Sequence, residues 1–139
     1  MCIIFIGTLS CKNTSGQDNY SEKQIVSMLK GFYTAYITEN SKIPENKVKL
    51  DSIKSIYCTE ELLNYIKKKF QERVLDYDPF LNAQMIDTRM LETLMVQKDS
   101  LKNNVFYVSY KYGALNTIKL TVAKEKSGYK IDHIFLVGL

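Results

Sequence analysis

Thr117-Ile118-Lys119-Leu120-Thr121-Val122-Ala123 is the stretch that decides the fold of this chain. Ile118, Leu120 and Val122 alternate with Thr117, Lys119 and Thr121. A period of two belongs to a strand with one dry face and one wet face. Just upstream, Phe106, Val108, Tyr110 and Tyr112 alternate in the same way with Tyr107, Ser109 and Lys111, giving a strand over 105–112. Residues 113–116, opening on Gly113, turn one strand into the next, and 124–128 make the following turn. The closing segment 129–137 breaks its own alternation: Tyr129 and Ile131 share one parity, Ile134 and Leu136 the other. One extra residue at Asp132–His133 brings all four to the same face, so a β-bulge is predicted there. Residues 91–98 supply a first strand, and the whole reads as an antiparallel meander of four.

What precedes the meander is helical. Ser21 and Gln24 have the spacing of a capping box, and Tyr20 with Ile25 that of a hydrophobic staple. Ile25, Leu29, Phe32 and Tyr36, joined by Met28 and Tyr33, form one apolar stripe, which predicts a helix to about Asn40 lying on the sheet. The dipeptide Ile43-Pro44 then imposes an extended or turn conformation. Asp51 or Ser52 is expected to cap a short second helix with Ile53, Ile56 and Tyr57 inward. Thr59, followed by Glu60 and Glu61, caps a third, whose apolar face is Leu63, Ile66, Phe70 and Val74 and which runs to about Leu75. Residues 76–88 have neither period and are expected to be a loop.

Helices followed by an antiparallel meander make a segregated α+β domain, and 139 residues suffice for one hydrophobic core. The predicted organisation is residues 21–139 as that domain, 11–20 as a flexible tether, and 1–10 as a signal peptide. Cys2-Ile3-Ile4-Phe5-Ile6-Gly7-Thr8-Leu9 is too short to cross a bilayer but matches the apolar middle of a secretory signal. It leads into Ser10-Cys11, which resembles a bacterial lipobox, with Cys11 as the lipidated residue after cleavage. Thr8 stands where leucine is usual. No Lys or Arg precedes the apolar run, which points to a true start upstream of Met1. The expected address is therefore the cell envelope, lipid-anchored, facing periplasm or cell surface. Cys58, the cysteine left in the mature chain, then has no disulfide partner and is expected to be a small buried hydrophobe.

Net charge is +4, with lysines scattered except for Lys67-Lys68-Lys69, which read as a solvated helix face. Nucleic-acid binding would need a denser basic stripe interleaved with aromatics, so none is expected. Ten tyrosines and no tryptophan suit half-buried helix and sheet positions, each ring carrying a hydroxyl toward water.

Three segments carry a resemblance. Asp76-Tyr77-Asp78-Pro79-Phe80-Leu81-Asn82-Ala83-Gln84, the early Phe32-Tyr33-x-x-Tyr36 helix and the closing Gly128-Tyr129-Lys130-Ile131-Asp132 strand together resemble a family of Bacteroidetes-type envelope lipoproteins. That family is a domain of unknown function. The likeness spans about residues 21–137 and implies a cone-shaped fold, cystatin-like or nuclear-transport-factor-two-like, with helices packed on a curved four-stranded antiparallel sheet. Met85 stands where the family commonly has an acid and Tyr129 where it often has tryptophan, with Asp87 arriving two residues later.

No phosphate-cradling glycine loop, zinc signature, dinucleotide fingerprint or nucleophile elbow occurs, so neither a cofactor nor a metal is expected. Asp76 and Asp78, two apart before Pro79, are a pair of oxygens for a hard cation or sugar, but Asp before Pro more often caps the loop backbone. Asp87 and His133 are the candidates for acid–base work at the mouth of a cone. For a ligand the expected contacts are Tyr36, Asp78, Gln84 and Tyr110.

Two functions compete: an envelope module whose cone binds a small apolar or sugar-like ligand or whose exposed sheet face docks another protein, and a cofactor-free isomerase or dehydratase using Asp87 or His133 in the cone. An immunity or inhibitor protein that blocks a partner's active site is a third, and a dimer through the sheet face is compatible with any. Convergent polar groups inside the cone favour catalysis; an interior filled by Phe32, Tyr36, Phe106 and Leu120 favours binding or pure scaffolding, and the binding or interaction module is the reading adopted.

Overall fold

The computed structural model describes residues 20–138. Cys11 and the leader before it lie outside the described residues, as do all but Tyr20 of the tether. Three helices, α1 (Glu22–Asn40), α2 (Lys47–Tyr57) and α3 (Glu60–Gln71), precede a 3-10 helix (Thr88–Thr93) and four strands. The strands are β1 (Met95–Lys98), β2 (Val105–Tyr112), β3 (Ala114–Glu125) and β4 (Gly128–Ile134), paired antiparallel in the order β1-β2-β3-β4. The expected α+β architecture is the observed one.

Ser21 caps α1 by accepting from the Gln24 N–H at 3.3 Å, and its own N–H donates to the Tyr129 hydroxyl at 2.8 Å. The cap thereby also pins the helix to the sheet. The Tyr20 ring lies 5.8 Å from that of Tyr129, so the aromatic before the cap packs on β4 as well. The inward stripe of α1 (Ile25, Leu29, Phe32, Tyr33, Tyr36 and Ile37) is fully buried or nearly so. Each such side chain stabilises the fold by about 2 kcal/mol through surface removed from water. Facing it are Phe106, Val108, Tyr110, Ile118, Leu120 and Val122, the inward positions of the two alternating strands, all buried.

The bulge is where the alternation places it. Val122 pairs with Ile131 and Thr121 with His133, so Asp132 is the extra residue. Ile131 and Ile134 are both buried in consequence, with Tyr129 and Leu136 packed against the same core. The outer edge of β4 is closed rather than open: the Thr59 N–H donates to the Ile131 carbonyl at 2.9 Å, and Cys58 forms a parallel bridge with Ile131. At the other edge β1 is only four residues long, a second way of limiting edge pairing.

Four boundaries differ from expectation. α2 starts at Lys47 with Asn46 as its cap, accepting from Lys49 N–H at 3.1 Å, not at Asp51 or Ser52. Its inward stripe is Leu50, Ile53 and Tyr57, which leaves Ile56 off the stripe and 61% exposed. α3 stops at Gln71 because Arg73 adopts a left-handed φ of 56°. Its N–H and that of Val74 then close on the Phe70 and Lys69 carbonyls in a Schellman arrangement. Leu62 and Ile66 are its buried positions, while Phe70 and Val74 are exposed. Residues 88–93 wind as 3-10 helix rather than opening the first strand at Leu91, because Asp87 caps them. The β2–β3 turn contracts to Gly113 at φ +77°, with Tyr112 paired to Ala114.

Candidate binding cleft

The segment between α3 and the 3-10 helix folds into a tight loop. Asp78 N–H donates to the Ala83 carbonyl at 2.9 Å and Leu81 N–H to the Asp78 carbonyl at 3.2 Å. The Asp78 carboxylate accepts from the Phe80 N–H at 2.9 Å, the local capping bond that an aspartate before proline makes readily. Phe80 and Leu81 are buried; the Phe80 ring lies 5.1 Å from Phe32 and 5.3 Å from Tyr36. Tyr110 donates its hydroxyl to the Leu81 carbonyl, and Asn82 Nδ2 reaches the Thr117 carbonyl at 3.2 Å. Helix and sheet thus both hold the loop in place.

Between this loop and the helices lies an open cleft of about 720 Å³, within the usual range for a ligand site. Its floor is polar. The Tyr36 hydroxyl donates to Asp78 Oδ2 at 2.5 Å, and Asn40 Nδ2 approaches the same oxygen at 3.4 Å. Tyr36 and Asn40 are four apart on α1 and so share one helix face. Burial pushes the Asp78 carboxyl above its ordinary value, against the hydrogen bonds from Tyr36 and Phe80 N–H and the charge of Lys54, which lower it. Burial, then the neighbouring Asp78 charge, drives the Tyr36 hydroxyl upward. Apolar walls come from Leu50 of α2 and Leu63, Ile66 and Phe70 of α3.

Of the residues singled out for ligand contact, Tyr36, Asp78 and Gln84 line this one cleft. Tyr110 does not; it is buried beneath the loop as the donor to Leu81. Asp76 is exposed at the cleft lining, apart from the capping role that Asp78 fills. Asn40, Lys54 and Phe70 were not singled out. The i, i+4 spacing of Asn40 from Tyr36 was the available signal, whereas Lys54 and Phe70 reach the cleft only through tertiary packing.

Asp87 and His133 do not form the expected pair. Asp87 grips Arg89 through two side-chain bonds, at 3.0 and 2.8 Å, and caps the Arg89 N–H at 2.9 Å. Arg89 holds its carboxyl well below the usual carboxylate range, which makes it a poor proton acceptor. His133 sits with its ring 5.2 Å from Tyr65 and 5.0 Å from Phe135. Asp87 accepts from the Tyr112 hydroxyl; Tyr112 pairs with Ala114 and His133 with Thr121, seven residues along β3, or roughly 23 Å. Cys58 is buried, and burial pushes its thiol up to about 12. Among the described residues no cluster of three metal-ligating side chains occurs, and no helix is long and apolar enough to cross a membrane.

No family profile and no curated protein matches this chain. Solved structures do. A protein of unknown function from Bacteroides thetaiotaomicron is 26% identical, with a TM-score of 0.71 over 82% of this chain and 90% of that one. The native type VI effector–immunity complex Tae3–Tai3 from Ralstonia pickettii contains a chain that is 17% identical, with a TM-score of 0.61 over 85% of this chain and 96% of that one. Its selenomethionine form gives 16% identity and a TM-score of 0.59, over 81% and 96%. The Ralstonia likeness speaks for the fold alone.

Proposed function

We propose that this chain is an interaction module of the bacterial cell envelope, held to the membrane by lipid on Cys11, that docks another protein through the cleft between the three helices and loop 76–86. Its fold is read as the cone-shaped, cystatin-like or nuclear-transport-factor-two-like kind. The observation carrying the proposal is that the binding geometry lies outside the cone. Phe32, Tyr36, Phe106 and Leu120 fill the interior, while the cleft stays open with polar groups on its floor. Phe70, 46% exposed, is part of its lining, and Met85, 78% exposed, lies in sequence between the lining residues Gln84 and Ile86. An exposed aromatic side chain beside a half-buried polar centre, with an exposed methionine on the bordering loop, is the composition of a protein-docking surface. A fold shared with a chain of an effector–immunity complex is compatible with the same reading, and the separation of Asp87 from His133 speaks against a proton-transfer enzyme. The resemblance to Bacteroidetes-type lipoproteins and the Leu9-Ser10-Cys11 sequence support the anchor.

Two measurements test it. A photo-crosslinking amino acid placed at position 70 in the producing cells is expected to give one discrete protein adduct, and the same group at Lys111, exposed on β2, none. Equal adducts from both positions, or none from position 70, reject the docking reading. Metabolic labelling with an alkyne fatty acid is expected to mark the wild type and not Cys11→Ser; unlabelled wild type rejects the anchor.

A further inference from the structure

The charges around the cleft balance except for one. Lys54 is paired with Asp51 at 3.2 Å. Two further lining lysines, Lys47 and Lys67, equal in number the lining carboxylates Glu45 and Asp76, and all four are exposed. Asp78 remains: Lys54 acts on it only from beyond ion-pair distance, and among the described residues no lysine, arginine or histidine lies within that distance of it. A half-buried carboxylate without a cation is costly, and folded proteins ordinarily supply one.

Hydrogen-bond capacity points the same way. The Tyr36 hydrogen is committed to Asp78 Oδ2, so only hydroxyl lone pairs remain free on that side chain. Asp78 Oδ1 accepts one bond, from Phe80 N–H, and can accept another. The floor therefore accepts more than it donates, and its complement is a group rich in N–H donors. The walls above it, Leu50, Ile66 and Phe70, suit an aliphatic stem and a planar head. A guanidinium fits both better than an ammonium, being flat, weakly hydrated and able to stack on an aromatic ring.

Resting on the docking reading above, we propose that the cleft receives an arginine side chain of the partner protein, whose guanidinium pairs with the Asp78 carboxylate. This arginine supplies the missing cation, and Tyr36 and Asn40 hold the carboxylate toward it.

The test uses the purified full chain, 15N-labelled, titrated with acetyl-Leu-Arg-Leu-amide and with the same peptide carrying citrulline, a neutral analogue of arginine. The arginine peptide is expected to shift the amide signals of Asn40, Phe80 and Leu81 and to bind about ten-fold tighter than the citrulline peptide. In Asp78→Asn, which keeps the acceptor for Phe80 N–H, that preference is expected to vanish. Equal binding of the two peptides, shifts confined to other surfaces, no binding at all, or a preference that survives in Asp78→Asn overturns the proposal. The wild-type contrast between the peptides decides the matter even if the variant fails to fold. Crosslinks from position 70 without an arginine preference sink this inference and leave the docking reading standing; an arginine preference without crosslinks rejects the docking reading and, with it, a partner's arginine as the occupant.

Discussion

Two polar groups, one buried and one half-buried, set the behaviour of individual residues. Tyr33 is fully buried and its hydroxyl has no hydrogen-bond partner among the described residues. An unsatisfied buried donor costs more than it returns, so Tyr33→Phe is expected to raise stability by about 1 kcal/mol in urea unfolding; a loss of similar size would mean the hydroxyl is satisfied. Asp78 makes its prediction through pH. Burial raises its pKa, so the folded state holds the proton more tightly than the unfolded chain does. The stability linked to that proton is fully present below the ordinary value of about 3.9 and is lost as pH rises through the folded value. Asp78→Asn cannot titrate there. The stability of wild type relative to Asp78→Asn should therefore increase as pH falls from about 7 to about 4; a flat or opposite trend would show that ionised Asp78 is not desolvated. The motif around Asp78 was legible because aspartate before proline has a local backbone preference. The Asp87–His133 pairing was not, since their separation depends on where along β3 each partner strand lies, which no spacing in the sequence encodes.

At the level of elements, Thr59 joins helix to sheet. Its hydroxyl accepts from Leu62 N–H at 3.2 Å as the α3 cap and donates to Asp132 Oδ1 at 3.0 Å, while its backbone closes the β4 edge at Ile131. The bulge serves that contact, because the extra residue it accommodates is Asp132. Thr59→Ala is expected to cost about 1–2 kcal/mol, the larger share of a capping loss since the site is buried, and Thr59→Ser to recover most of it. Urea unfolding of the two variants checks both values; equal losses would place the effect in the methyl group rather than the hydroxyl. Bulge and cap were both readable, one from broken parity and the other from threonine before two glutamates. The start of α2 was misread because Asn46 is as good a cap as Asp51, and its first turn, Lys47-Val48-Lys49, carries no inward apolar residue before Leu50. The end of α3 was misread because Phe70 and Val74 continue the helical spacing past a left-handed residue that is not glycine.

For the molecule as a whole, stability is unevenly distributed, and the cleft lies at the boundary. α1, β2 and β3 share the packed core, with six inward side chains of α1 facing the two central strands. α2 buries only Leu50 completely; otherwise Ile53 and Tyr57 rest on the core while Val48 and Ile56 are exposed. It is tied to α1 by the Lys49–Glu39 ion pair at 3.1 Å, and the lysine of that pair is exposed, so solvent and salt weaken the tie. An element with so little buried area opens without the rest of the fold. Hydrogen exchange at neutral pH is therefore expected to label residues 47–57 by local opening. The amides of α1, β2 and β3 should label only with global unfolding. Because α2 contributes Leu50 and Lys54 to the cleft, the opening that exchange detects is also a widening of the proposed binding site. A partner that closes over Asp78 must hold α2 down, and its binding should slow exchange in α2 far more than in the strands. Uniform protection across α2 and the core in the free protein would instead describe a rigid cleft, one that selects its partner by shape without any movement of this wall.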